Sequence, residues 1–214
     1  MPRTPLLHLA LLLPLPLAPV RAQQSIVPAE FTGVDSVVYR LSPESRLEVK
    51  TGKAGLFGFA GHNHLVRARA FSGTVVYYPH APASSHLAIV VVTDSLEVLT
   101  PKDTAEIRKV TADMRAKVLH TEKYPEIRLV SKTVTSTATG FHIVGELTLV
   151  GQTRDVPIDV RVALGADTLR AKTTFSLKQT DFGIKPYSGG PGGTVKVADQ
   201  VSFTIDAIAI RAAP

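Results

Sequence analysis

The stretch "GFHIVGELTLVGQTRDVPIDVRVALGADTLRAKTTFSLK", residues 140–178, alternates apolar and polar side chains through three successive segments. Odd positions carry the apolar face in Phe141, Ile143, Leu147 and Leu149. Even positions carry it in Val156, Ile158, Val160, Val162 and Leu164, and odd positions again in Leu169, Ala171, Phe175 and Leu177. A period of two over this length marks antiparallel strands with one face on a core and the other in water. Arg161, Arg170, Lys172, Thr174 and Lys178 fall on the opposite face, where charge keeps its hydration. Thr139-Gly140 and Gly165-Ala166-Asp167 supply the turns between neighbours.

The same alternation continues in Val201, Phe203, Ile205, Ala207 and Ala209, and further strands are expected at 34–41, 45–51, 64–78, 86–98 and 126–137. One helix is expected at about 101–118. Thr100 is placed to cap it, Pro101 suits its first position, Asp103 completes a box-like pattern, and Ile107, Val110, Met114 and Val118 repeat at helical spacing. It closes one end or side of the sheet and stops before Tyr124-Pro125, because proline disfavours a helical predecessor. The chain is therefore all-β. Strands of about ten residues favour a closed barrel over a sandwich, since closure removes the edges that long strands otherwise expose.

An apolar run from Leu6 to Leu17 follows Arg3, is too short to span a bilayer, and ends at Val20-Arg21-Ala22. This is the layout of a secretory signal, with cleavage expected after Ala22. Without residues 1–22 the 214-residue chain keeps 192, of which 23–36 form a lead-in and 37–210 one domain. Cysteine is absent, which excludes disulfide scaffolds, thiolate metal sites and cysteine nucleophiles, and suits a bacterial periplasm or cell surface. The net charge of +6 falls to +4 once Arg3 and Arg21 are removed. The remaining cations are scattered, so nucleic acid has no patch to bind, while weak attraction to anionic lipid headgroups is consistent with the sign.

"GFAGHNHLV", residues 58–66, places His62 and His64 two apart, just after glycines at 52, 55, 58 and 61. If 62–78 is one strand, both histidines share the inward face with Val66, Ala68, Ala70, Ser72 and Thr74, and Arg67 and Arg69 point to water. Inward side chains this small leave volume unfilled, which implies a cavity. The glycines suit a bend or bulge at a barrel corner, and no Gly-Lys-Ser/Thr follows to make a phosphate loop. Two imidazoles on one strand face can also grip a metal ion, but a third ligand is needed and none stands at a recognisable spacing. His142 takes the outward parity of its strand. No Gly-x-Ser-x-Gly elbow is present, so no catalytic constellation is assembled and no cofactor is implied.

Several segments together resemble the YceI-like family of exported bacterial proteins. They are "KYPEIRLVSKTV" at 123–134, "GELTLVGQTRDVPIDVRV" at 145–162, "FSLKQTDFGI" at 175–184 and the closing strand entered through "VKVADQVSFTI". "AGHNHLV" resembles a variant of the segment that leads into "FSGTV" in that family, and the pieces occur in family order across roughly 37–210. The resemblance implies an extended eight-stranded antiparallel barrel, lipocalin-like in shape, whose apolar cavity holds a polyisoprenoid or similar long-chain lipid. The protein is then a non-enzymatic carrier, in transient contact with a membrane surface, with a homodimer as the assembly considered. A metal-binding protein built on His62 and His64 is the alternative.

On this reading Phe57, Phe59, Phe141, Phe175 and Phe203 are candidate wall residues. The loop "TDFGIKPYSGGPGGT" at 180–194 brings Asp181, Phe182, Lys185 and Tyr187 to the mouth, where glycine amides can hold an anionic head and His62 and His64 can donate hydrogen bonds. Replacing His62 and His64 with alanine is expected to weaken retention of a polar-headed lipid. Unchanged affinity in a lipid-retention assay removes both from the site.

Overall fold

The structure, a computed structural model, describes residues 36–54, 63–100, 104–189 and 195–213. Within them alternation yields strands nearly where it was expected. They are β1 (Val37–Leu41), β2 (Arg46–Ala54), β3 (Leu65–Ala68), β4 (Phe71–Tyr77), β5 (His86–Val92), β6 (Leu96–Val98), β7 (Glu126–Thr137), β8 (Gly140–Leu149), β9 (Gln152–Leu164), β10 (Thr168–Lys178), the two-residue β11 (Ser188–Gly189) and β12 (Val195–Arg211). The sheet is antiparallel and closes on itself as an eight-stranded barrel, because the C-terminal strand β12 pairs with β10 on one edge and with both β1 and β2 on the other.

Three of the eight staves are broken at the same level. β1 and β2 are halves of one stave, parted at 42–45; β3 and β4 part at Arg69-Ala70; β5 and β6 part at a 3-10 turn, Thr93–Ser95. Side-chain hydroxyls take over the backbone's bonds along this crease. Ser45 Oγ donates to the Ile208 carbonyl and accepts from the Ile208 N–H, at 3.0 and 2.9 Å. Ser95 Oγ accepts the Ala70 N–H at 2.9 Å, and Thr93 Oγ1 donates to the Tyr124 carbonyl at 2.6 Å.

The crease corrects the reading of 62–78 as one strand. The bend at Arg69-Ala70 reverses the alternation, so Phe71, Gly73, Val75 and Tyr77 take the inward positions and Ser72 is exposed. The corner is also not where the glycines stand. Gly52 lies within β2, opposite a register shift in β12 between Val197 and Val201, and Gly55, Gly58 and Gly61 lie outside the described residues. The expected outward positions of Arg67 and Arg69 hold, each paired across strands with a carboxylate, Glu48 and Glu97. One further departure concerns exposure: Leu164, assigned to the inner face, is 48% exposed at the β9–β10 turn. Val92 of β5 and Val130 of β7 are also exposed, on the outer wall.

The helix α1 is described from Thr104 to Asp113 and continues as a π-helical stretch, Met114–Leu119. The Thr100 hydroxyl is engaged elsewhere: it accepts the Leu65 N–H at 2.8 Å and donates to the Asn63 carbonyl. Val110, Met114 and Val118 pack as the 3.6-residue spacing predicts, against a core that includes Val66, Ala68, Leu96 and Val98. A second, smaller core of Tyr39, Leu169 and Ala209 fills the opposite end beside Val37, Tyr77 and Val162.

Two seams of the barrel lack a continuous backbone ladder. β9 and β10 pair only from Leu169 with Leu164 to Lys172 with Arg161, and β6 pairs with β3 but with no strand on its other edge. The first seam is filled by the 3-10 turn Gln179–Phe182, the second by the helix. Replacing Ser45 with alanine strips the Ile208 N–H of its partner at the stave break and leaves the Ile208 carbonyl only the Ser42 N–H, and is expected to lower unfolding free energy by about 1–3 kcal/mol in chemical denaturation. A change within error would show that water satisfies the break as well as the hydroxyl does.

Candidate functional site

The inward faces of the staves enclose an elongated apolar cavity of about 210 Å³. Its wall runs from Ala68, Leu96 and Ile127 near the helix to Tyr77, Phe141 and Leu169 at the far end. Leu147, Ile158, Val160, Phe175, Phe203 and Ile205 line the middle. Among the described residues no buried side-chain nitrogen or oxygen lacks a hydrogen-bond partner. The interior therefore asks nothing polar of a ligand and offers it dispersion and dehydration along its length.

Phe175 and Phe203 are direct cross-strand partners and stack with centroids 4.9 Å apart and planes 4° from parallel. Four positions beyond Phe175 and Phe203, past the Thr173–Ile205 pair, Ala171 faces Ala207 across the same strand pair, so this side of the wall thins from aromatic rings to methyl groups. At the far end Tyr77 meets Phe141 edge-on, centroids 6.3 Å apart and planes at 73°. These rings and the Tyr39 cluster make that end an aromatic plug.

Of the residues singled out in the sequence, Phe141, Phe175 and Phe203 line the cavity. Phe182 is buried, 2% exposed, but it packs with Val156, Ile158 and Ile184 where β9 and β10 separate. Asp181 and Lys185 are exposed, and Tyr187 packs over Gly189, its carbonyl accepting the Val197 N–H at 3.0 Å. Phe57, Phe59 and His62 lie outside the described residues. His64 is half-buried at the start of β3, its Nδ1 2.8 Å from the Thr100 carbonyl and its N–H on Thr51 Oγ1. Among the described residues no three of His, Cys, Asp and Glu stand close enough to share a metal ion. His142 is on the outer wall, its Nδ1 2.7 Å from Asp159 Oδ1.

The turn that carries Phe182 is held from the neighbouring strand. Where β12 bulges, Asp199 accepts the Thr180 N–H at 2.9 Å and its hydroxyl at 2.8 Å, and Gln179 Nε2 donates to the Ala198 carbonyl. Arg154 Nε adds a bond to the Asp181 carbonyl from β9. The hydrogen bond from the Thr180 backbone, then that from its hydroxyl, hold the Asp199 carboxyl below the ordinary carboxylate range. "KQTDF" and "VKVADQV" are thus two halves of one clamp at the seam.

A family model described as "YceI-like domain" matches residues 39–209. The chain belongs to the YceI-like family. No curated protein matches the sequence. Among solved structures, this YceI-like chain is similar to BcnA of Burkholderia cenocepacia, with a TM-score of 0.63 and 17% identity over 78% of this chain and 98% of that one. A structure described as a polyisoprenoid binding domain from Saccharophagus degradans gives 0.60 and 12% over 81% and 98%. The YCEI protein of Campylobacter jejuni gives 0.53 and 14% over 70% and 85%. At such identities these likenesses establish a common fold.

The Asp199 clamp is expected to respond to acid. Because its carboxyl is held low in the folded chain, its contribution is complete above about pH 4 and is lost as pH falls through the depressed value. Asp199→Asn should therefore flatten part of the fall in denaturation midpoint below about pH 4. An identical pH profile for the two proteins would remove the clamp from the acid response.

Proposed function

We propose that this protein is a non-enzymatic carrier that holds a polyisoprenoid or other long-chain lipid inside the barrel. The observation that carries this reading is the cavity itself: long, lined by apolar side chains on every stave, and free of unpaired polar groups among the described residues. A hydrocarbon chain threaded along it gains roughly 0.8 kcal/mol per buried methylene, so a long tail is retained without polar contacts. The polyisoprenoid named for the Saccharophagus degradans domain, which shares the fold, is the ligand class this interior suits.

The headgroup then lies outside the apolar tube. The Tyr77–Phe141 plug and the Tyr39 cluster obstruct one end, which leaves the helix end, where His64, Lys185 and Tyr187 stand on neighbouring segments, as the place for a polar head. The role of these residues, and of Phe57, Phe59, His62 and Asp181, is part of this proposal. With residues 1–22 acting as a cleaved signal, the carrier works in the periplasm or outside the cell and meets membrane surfaces only in passing.

Ala207 faces Ala171 at the thin part of the wall, and Ala207→Phe fills the tube there while leaving the fold's hydrogen bonds in place. Protein purified from the cell envelope is expected to carry a long-chain lipid near one per chain by native mass spectrometry and solvent extraction. The Ala207→Phe variant should carry at least tenfold less. Equal lipid in both would place the binding outside the barrel, and a stoichiometric metal with no lipid would make the histidine pair the centre.

A further inference from the structure

A ligand enclosed by a closed sheet needs an entrance, and the two seams differ in what fills them. At the β9–β10 seam the filling turn is the direct continuation of β10 and is tied on both sides, to Asp199 and Ala198 of β12 and to Arg154 of β9. Thr173 Oγ1 further laces β10 to the Asp159 carbonyl at 2.7 Å. Nothing there can move without taking strands with it.

The β6–β7 seam is filled differently. Its upper corner is fastened where Thr93 bonds Pro125 and Tyr124, and below that point β6 has no strand partner on that side. Two side chains of the helical segment stand in for one: Thr111 Oγ1 accepts the Val98 N–H at 3.2 Å, and Arg115 Nε donates to the Leu96 carbonyl at 3.1 Å. Arg115 also lies 3.7 Å from Asp94. Leu96 on one side of the seam and Ile127 on the other both line the cavity, and Val110, Met114 and Val118 of the helical segment pack against the cluster that holds them, so the helix lies over the seam beside the cavity's near end.

The far end of this segment is built to turn. The helix widens to π geometry over Met114–Leu119, and His120 closes it in the left-handed region at φ 49°. Among the described residues only one other non-glycine residue has positive φ, Val150, and both line a polar cleft behind the helix, together with Arg115, Lys123 and Tyr124. Backbone held in that region concentrates at hinges and switches, because the surroundings must enforce it.

We propose that the helical segment 104–119 is the door of the cavity, latched to β6 by Thr111 and Arg115 and hinged at His120, and that ligand enters and leaves between β6 and β7. This rests on the carrier reading above. Opening exposes Leu96, Val110 and Met114 to the incoming tail, which replaces the contacts the helix gives up. Thr111 and Arg115 act on exchange rate rather than on affinity, since neither reaches the bound chain.

The chain has no cysteine, so a linked door can be made cleanly. Asp94→Cys with Arg115→Cys, joined by a short bis-thiol linker that reductant cleaves, ties the helix to the β5–β6 turn. Retinol, an isoprenoid alcohol whose fluorescence reports apolar surroundings, serves as probe, and stopped-flow mixing with vesicles reads uptake and release. The linked protein is expected to exchange retinol at least tenfold more slowly and to recover on cleavage. Thr111→Val, which removes one latch bond, should speed exchange about fivefold with occupancy unchanged. Exchange in the linked protein as fast as in the unmodified chain overturns the door. Linked protein refolded with retinol separates the two readings: if it holds none, and the unmodified chain holds none, the carrier itself is refuted.

Discussion

Closure depends on β12. This strand of 17 residues is the surface on which the barrel is joined, with β10 along one edge and the two halves of the first stave along the other. Were that pairing lost, β1, β2 and β10 would each present an open edge, and the apolar inner face would be flat rather than enclosed. The pairing also explains why a broken first stave is tolerated. Ser45 bridges the gap onto Ile208, so β12 meets a bonded partner at each level where β1 gives way to β2.

Enclosure in turn sets what the site can do. With every stave contributing apolar side chains and aromatic rings meeting at the far end, the interior offers shape and hydrocarbon contact rather than partners for a polar group. Polar work is displaced to the margins: the Asp199 clamp at one seam, the Thr111 and Arg115 bonds at the other, the Glu48–Arg67 and Glu97–Arg69 pairs on the outer wall. The Glu97–Arg69 pair is exposed enough that its contribution to stability is small, whereas Glu48–Arg67 is half-buried.

Period-two alternation was enough to find β7 to its last residue, to place Phe141, Phe175 and Phe203 on the inner wall, and to reach a barrel. It failed where the chain bends. Nothing in "RARAFSG" announces that Arg69-Ala70 will reverse the phase, because the bend is made by hydrogen bonds from Ser95, 25 residues further on. Val75 and Tyr77 were missed for that reason. Thr100 looked like a helix cap from local spacing, but a hydroxyl can serve only a few partners, and Leu65 and Asn63 of β3's approach hold it.

The edge of β6 has a meaning beyond the cavity. A bare strand edge is a template on which any extended chain can add itself, and Leu96–Val98 is preceded in the sequence by a six-residue apolar run, Leu87–Val92, of high strand propensity. While the helix is docked, Thr111 and Arg115 occupy the Val98 N–H and Leu96 carbonyl and deny them to a stranger. Whatever loosens that helix for long invites self-association through β6. A door built on this segment therefore has to open for traffic and close again before its bare edge finds a second chain.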